Sequence, residues 1–416
     1  MRVTGGCDFR EQISVMARER LESSSIGEII EMAARFRALS FGAGEPSPEL
    51  FPKDMIREAV AEAFEGQDVW GYYHDDFGYL PLREWIAERM IKDGMAPSWV
   101  KPEHILLTNG GGEGVSLVSE ALIDPGSVVL VESPTYVESL LTFRKQGAIC
   151  VPVPSDDEGI IPFELERIAS AVRPRFLYTI PNFQNPSGRT IPEERRIQIL
   201  DILRRLNLPM LEDDPYHYLS YDAAPPPCFL KLAGEDCRVV HCNSFSKTIA
   251  PGLRVGWLVV PPPLRNALHH LRVSAGLGRP TVIQAGVWRY LSRIDFPSRV
   301  KKLCDGYRER RDAMLDGIIR YLEPLGIRTS KPAGGFFVWC ESPDSRDIHS
   351  FARYAVEKHG IAIIPGQSFF PRGDKRGDWA FRLSYAKVPA EQVNEGMQRL
   401  ARAWESFPAV RASSVS

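Results

Sequence analysis

The chain has 416 residues, 44% hydrophobic and 25% charged, and its 51 Lys+Arg against 53 Asp+Glu leave a net charge of −2. That length exceeds one compact core and calls for two domains, or a large one with a small companion. The charge balance excludes a global pull toward nucleic acid or an anionic membrane, and 7 scattered cysteines without a Cys-x-x-Cys pair argue against a disulfide framework or a zinc site.

The first residues, MRVTGGCDFREQ, carry Asp8, Arg10 and Glu11 where a signal peptide needs an apolar run. No stretch reaches the roughly 18 apolar residues of a spanning helix, so a cytoplasmic soluble protein is expected. Residues 1–40 read as an amphipathic helical arm, clearest in SSSIGEIIEMAARF, and SFGAGEPSPELFP is a Gly/Pro-rich extended connector. Residues 53–66 and 81–92 read as helices.

From residue 104 strand and helix patterns alternate. HILLT is a strand, followed by a glycine run and a helix through GVSLVSEAL. SVVLV leads through ESPT into a helix from Tyr136, and RFLYTI leads through PNFQNPSG into PEERRIQILDILRRL. PMLED, RVVHC and VGWLVV add further strands. This alternation predicts an α/β domain with a mostly parallel sheet. A long polar helix over 297–322 follows, then the β-like segments GGFFVW, IAIIP and FRLSYA and a last helix, which predict a smaller α+β domain. The expected division is an arm at 1–52, a large domain at 53–298, a small domain at 299–408 and a disordered tail at 409–416.

In open α/β sheets ligands bind at the carboxyl ends of the strands, so the residues after each strand are the candidates for chemistry. Gly110, Gly111 and Gly112 open a helix after the first strand. Their amides offer either an anion cradle or a tight turn. The spacing is neither a P-loop nor G-x-G-x-x-G, because residue 115 is Val, although Glu132 stands where a dinucleotide fold places its ribose acid. Tyr136 offers a ring for stacking or for core packing. The amides of Asn182, Gln184 and Asn185 make either a polar hand or a set of turn formers. Asp213 closes an apolar strand, where a carboxylate needs a cation, donors or a helix to cap.

Lys247 lies in NSFSKTIAPGLRVGW, between apolar strands, where partial desolvation lowers an amine's pKa and frees it for a Schiff base. Arg254 suits an anion, with Ser244 and Ser246 beside Lys247. A ligand with a phosphate, a flat ring, a basic ring nitrogen and an aldehyde answers all of these groups, and pyridoxal 5′-phosphate has all four.

The ordered set PTY, PNFQNPSG, EDDPYHYL, SFSKTIAPGLRVGW, GGFFVW and FRLSY resembles the fold-type I, pyridoxal-phosphate-dependent aminotransferases of class I/II, in their 2-aminoadipate/kynurenine aminotransferase-like branch. The resemblance spans nearly the whole chain. It implies a large domain with a mostly parallel mixed sheet flanked by helices and a smaller α+β domain. It implies that Lys247 carries the cofactor aldimine and shuttles a proton, and that Asp213 pairs with the ring nitrogen. Tyr216 and Asn185 would bond the ring 3-oxygen, and Tyr136 would stack on the ring. Ser244, Ser246, Arg254, Gly111 and Gly112 would hold the phosphate, Arg382 the substrate carboxylate, and Tyr73 the phosphate of a neighbouring subunit in a homodimer with shared sites. Gly44, in the connector, and Arg20, in the arm, fall where the branch covers the substrate, although Arg20 also fits a solvent-facing residue. Two segments depart from the family pattern. Gly111-Gly112 replace a polar pair, and His74, Asp75 and Asp76 add charge near a subunit-facing loop that is otherwise a solvated turn.

The expected activity is transfer of an amino group between an L-amino acid and a 2-oxo acid. The alternative is an enzyme of the same fold and cofactor with another outcome, such as β/γ-elimination or replacement, decarboxylation, cyclisation or oxidation. A winged-helix regulator fused to such a domain needs a long N-terminal extension, and the match begins near residue 20. Ser244 to Lys247 spells S-x-x-K, but the S-D-N and K-T-G of acyl-serine hydrolases are missing. A dehydrogenase leaves Lys247 unexplained.

Overall fold

The computed structural model describes residues 12–20, 25–71, 73, 75–276 and 279–408, without the side chains at 19, 20, 25 and 68. The strands, in chain order, are β1 (Leu39–Ser40), β2 (Ile105–Thr108), β3 (Val128–Ser133), β4 (Ile149–Asp156), β5 (Gly159–Ile160), β6 (Phe176–Thr179), β7 (Met210–Asp213), β8 (Val239–Ser244), β9 (Gly256–Val259), β10 (Arg328–Thr329), β11 (Phe337–Glu341), β12 (Ile361–Ala362), β13 (Ile364–Pro365) and β14 (Ala380–Ser384).

Eight of these form one sheet in the order β2-β9-β8-β7-β6-β3-β4-β5. Strands β3, β4, β6, β7 and β8 pair in parallel, while β9 runs antiparallel to both β2 and β8. The expected mostly parallel, mixed sheet is therefore present. Successive residues point to opposite faces. Leu106, Val131, Tyr178, Leu211, Val240 and Leu258 enter one core, and Leu107, Leu130, Leu177, Met210, Val239 and Trp257 enter the other. Both faces are buried under helices, which is why these strands read as continuous apolar runs.

Strand β4 was not foreseen. Its Pro152 and Pro154 argue against a strand by propensity, yet it pairs with β3 from Val128↔Ile149 to Ser133↔Pro154. It lies next to the sheet edge, with only the two residues of β5 outside it, so the missing amide donors cost little there.

Helix Phe296–Tyr321, 26 residues or about 39 Å long, leads from the large sheet to a four-stranded antiparallel sheet ordered β10-β11-β14-β13. IAIIP divides into β12, which pairs in parallel with β1, and β13, which pairs with β14. The arm thus joins the C-terminal elements through β1, and helix Ser25–Arg35 packs on helix Ile348–His359. An isolated bridge, Ser220↔Gly334, ties the loop after β7 to the approach of β11. The second sheet packs on the face that carries Tyr178 and Leu211, and the two share one core. The tail at 409–416 lies outside the described residues. Among those residues no helix is long and apolar enough to cross a membrane.

One close approach depends on glycine. A Cβ on Gly256 would lie 2.7 Å from the Gly110 carbonyl carbon and 2.9 Å from the Asn243 carbonyl oxygen, whereas a Cβ on Gly112 would meet nothing within 4 Å. Gly256→Ala is therefore expected to destabilise the fold by about 1–3 kcal/mol through overpacking against rigid backbone. Gly112→Ala, in the first turn of a helix, should be neutral or slightly stabilising. Thermal melting of the two variants checks this, and equal midpoints would refute it.

Candidate active site

The loops after β2, β3, β6, β7 and β8 converge on one cleft, and elements of the second sheet close it. The loop after β8 places Lys247 at the floor. The Lys247 Nζ donates to the Gly44 carbonyl at 3.1 Å and lies 5.7 Å and 6.0 Å from the ring centres of Phe336 and Tyr216. Burial, then the Arg382 guanidinium, bring this amine down to about 8, so about a tenth of it is neutral at pH 7 and half near pH 8. Gly44 has to lack a side chain, because a Cβ there would lie 2.9 Å from the Phe337 ring.

Asp213 ends β7 with its side chain in the cleft, on the same face as Tyr178 and Cys242. Its Oδ2 accepts from the Tyr178 hydroxyl at 2.8 Å. Its Oδ1 faces Gly111, whose Cβ position lies 3.9 Å away. Burial pushes the carboxyl up to about 6 against the pull of the Tyr178 bond. No arginine or lysine bonds to it among the described residues, so the fold carries an acid ready for a cation or a charged ring N–H.

Helix Gly111–Leu122 starts beside Asp213, and the first amides of a helix have no intrahelical acceptor. Gly110 precedes it with φ +81, a conformation that favours glycine. Arg254, at φ +51, reaches across to donate to the Asn109 carbonyl at 2.8 Å. Ser244 and Ser246 bond one another at 2.8 Å through their hydroxyls. The two serines, the first helix amides at Gly111 and Gly112 and Arg254 thus bring to the neighbourhood of Lys247 the kinds of donor an anion needs. Glu113, unremarked in the sequence, accepts from the Asn109 amide at 2.5 Å and pairs with Arg279, which fixes the start of this helix.

Tyr136 caps helix Val137–Lys145 and is half-buried, and burial pushes its phenol up to about 12. Tyr216 is buried, with Phe336 and Phe337 edge-on at 5.6 Å and 5.8 Å. Burial raises its phenol well above the ordinary range, and the Asn185 side chain beside it works in the opposite direction. Arg382, on β14, donates to Asn185 Oδ1 and the Gly42 carbonyl, each at 2.7 Å, and packs between Phe337 and Phe369. Its Nε is buried without a partner among the described residues, which suits an incoming carboxylate.

Tyr73 is placed near Tyr79, and its hydroxyl accepts from the Leu80 amide at 3.2 Å in its own chain. The Arg20 side chain and His74 lie outside the described residues. Asp75 and Asp76 lie half-buried in a turn closed by the Gly78 amide on the Asp75 carbonyl, and both carboxylates have partners. Asp75 pairs with the buried Arg83 and accepts from the Phe77 amide, while Asp76 bonds His269 at 3.1 Å.

Sequence reading missed the buried supports of the cleft. Glu132 is no open ribose acid. It accepts from Thr179 Oγ1, the Ile180 amide and Gln184 Nε2, which fixes the loop carrying Asn185, and burial pushes its carboxyl up to about 7. On the opposite face from Asp213, Glu212 accepts from the Phe229 and Leu230 amides and bonds His241, while Asp214 is held by Asn182, His217 and Cys228. These four metal-capable groups, Glu212, Asp214, Cys228 and His241, cluster together: the two carboxylates accept from protein donors, the Cys228 thiol among them, and His241 bonds Glu212 through Nδ1 while its Nε2 is buried without a partner among the described residues. The residues themselves carried a signal, since an acid or histidine in an apolar strand demands a partner, but its identity is set across the sheet.

A model of the aminotransferase class I and II family matches residues 38–400. The 2-aminoadipate transaminase of Thermus thermophilus is 36% identical over 396 residues, covering 94% of this chain and 96% of that one. A solved kynurenine aminotransferase from Pyrococcus horikoshii superposes with a TM-score of 0.90 at 30% identity, covering 97% and 99%. An α-aminoadipate aminotransferase from Thermus thermophilus, solved with N-(5′-phosphopyridoxyl)-L-leucine, gives 0.87 at 35%, covering 96% and 98%. The amine, buried acid and anion cradle read from this chain are the groups that such a phosphopyridoxyl ligand requires. The chain belongs to the class I and II aminotransferases, and it is a fold-type I enzyme that uses pyridoxal phosphate to exchange amino groups between amino acids and 2-oxo acids.

Proposed function

We propose that the enzyme acts on amino acids with long acidic or aromatic side chains, 2-aminoadipate and kynurenine among them, with a 2-oxo acid as acceptor. The observation that carries the reading is the meeting of Lys247, Asp213 and Arg382 in one cleft of a chain so similar to enzymes named for those donors. The cofactor supplies, when bound, an electrophilic aldehyde and an electron-accepting ring. Lys247 is the nucleophile and then the base that moves a proton from the substrate α-carbon. Asp213 holds a proton at the ring nitrogen through Oδ1. Tyr216 and Asn185 bond the ring oxygen, and Tyr136 covers the ring. Ser244, Ser246, Arg254 and the Gly111 and Gly112 amides bind the phosphate. Arg382 orients the α-carboxylate, and Gly44 with the arm, Arg20 included, covers the substrate.

Two copies form the working unit, with Tyr73 serving the partner's phosphate site. Trp70, 68% exposed and three residues before Tyr73, lies 5.4 Å from the exposed Phe64 ring at a tilt of 52°, an apolar patch that suits a subunit contact. The units 1–52, 53–298 and 299–408 are the proposed domains, the first docking on the third through β1. The free thiols among the described residues suit a reducing cytoplasm.

Spectra of the loaded enzyme against a panel of amino acids test the donor class. The yellow absorbance should bleach fastest with 2-aminoadipate, kynurenine or phenylalanine and return with 2-oxoglutarate. A response to aspartate or alanine alone would overturn the substrate class. Release of ammonia or CO2 in place of a 2-oxo acid would overturn the outcome.

Uptake of pyridoxal phosphate by the cofactor-free chain should also depend on pH. Only the neutral Lys247 amine is nucleophilic, so the rate should rise about tenfold per pH unit below its pKa and level off above about pH 8. A plateau reached only above pH 10 would mean that the amine is not desolvated.

A further inference from the structure

We propose that Ser139 and Tyr178 form a two-hydroxyl relay that commits Oδ2 of Asp213 to the protein and leaves Oδ1 for the cofactor ring, making both positioning residues for transamination. The inference rests on the assignment of Asp213 to the ring nitrogen.

Tyr178 is fully buried on β6, on the same face as Asp213. Phe143 and Phe176 form part of the same aromatic cluster, with the Phe143 ring at 5.2 Å and 74° to that of Tyr178. The Ser139 hydroxyl, 2% exposed, meets the Tyr178 hydroxyl at 2.8 Å, and Tyr178 meets Asp213 Oδ2 at 2.8 Å. A phenol has one proton and a serine hydroxyl has one. An ionised Asp213 has none to give, so the Tyr178 proton points to Oδ2. The phenol oxygen is then filled by the Ser139 proton, and the chain runs one way, from Ser139 to Tyr178 to Asp213.

Two consequences follow for Asp213. Its ionised form is the one that the relay stabilises, because a charged acceptor makes the stronger hydrogen bond. Its Oδ2 is turned away, so Oδ1, beside Gly111, is the oxygen presented to the cleft. Without the phenol the carboxyl lies buried with no donor, and it prefers to protonate itself rather than hold the proton on a ring nitrogen.

The test compares the Tyr178→Phe, Ser139→Ala and Asp213→Asn holoenzymes, each loaded with pyridoxal phosphate labelled with nitrogen-15 in the ring. The ring-nitrogen shift is followed against pH alongside kcat, KM and thermal midpoint. Tyr178→Phe should lower kcat by about 10- to 100-fold with KM within about threefold, and ring-nitrogen protonation should be lost within pH 6–9. Ser139→Ala should give the same changes at about 3- to 10-fold. If Asp213→Asn keeps the wild-type shift and kcat, the assignment of Asp213 fails and the relay with it. If Asp213→Asn loses both while Tyr178→Phe keeps both, the relay alone is refuted. Should Tyr178→Phe not fold, an unchanged shift and kcat in Ser139→Ala refute the relay instead.

Discussion

Replacing Lys247 with alanine is expected to lower the transamination rate by roughly 10⁴-fold, the upper end of what one positioned proton-transfer group contributes. It should also abolish the covalent cofactor link trapped by borohydride. The variant should fold, because Lys247 is half-buried and its amine makes one hydrogen bond among the described residues, to the Gly44 carbonyl. It should still take up pyridoxal phosphate without a covalent bond, since the serines, Arg254 and the glycine amides of the cradle are untouched. Rapid dialysis followed by borohydride treatment and mass analysis checks both points. A cofactor that remains covalently trapped in Lys247→Ala would place the reactive amine on one of the 11 other lysines.

Arg382→Lys should lower kcat/KM by about 10²- to 10³-fold, mainly through KM. Arg382 spends two donors on Asn185 and Gly42, and its buried Nε remains free of partners among the described residues. A planar fork can keep those bonds and still offer further N–H groups to a carboxylate, whereas an ammonium is one point charge. Losing charge-assisted hydrogen bonds at about 1.5–3 kcal/mol each gives that range. The variant also forfeits the stacking of the guanidinium between Phe337 and Phe369, 4.3 Å and 4.9 Å from their ring centres. The amino donor and the 2-oxo acceptor share the same α-carboxylate, so both KM values should rise together. A rise confined to one of them would show that Arg382 reads a side chain instead.

The residues at the strand ends were readable because they advertise themselves locally. A lysine between apolar strands, an acid closing another and a glycine run opening a helix each violate the simplest reading of their own segment. Their placement at the carboxyl ends of successive strands then follows from the strand-helix alternation. Strand β4 was missed because Pro152 and Pro154 speak against a strand, and only its place beside the sheet edge makes them tolerable. The partner of Asp75 is not legible for the complementary reason, since Arg83 lies inside a helix that looks like any amphipathic helix in sequence.

What the sequence determined by itself is therefore the alternation of strands and helices and the chemical inventory at the strand ends, because both are encoded in neighbours a few residues apart. The tertiary structure decided which of those groups meet. Lys247 reaches the Gly44 carbonyl across 203 residues, and Arg382 reaches Asn185 across 197. It also decided that Asp213 leans on Tyr178 while Glu212 and Asp214, its sequence neighbours, face the opposite side of the sheet. The period of two along a strand separates adjacent acids into different environments, but only the packing of helices on each face says which environment holds the cofactor.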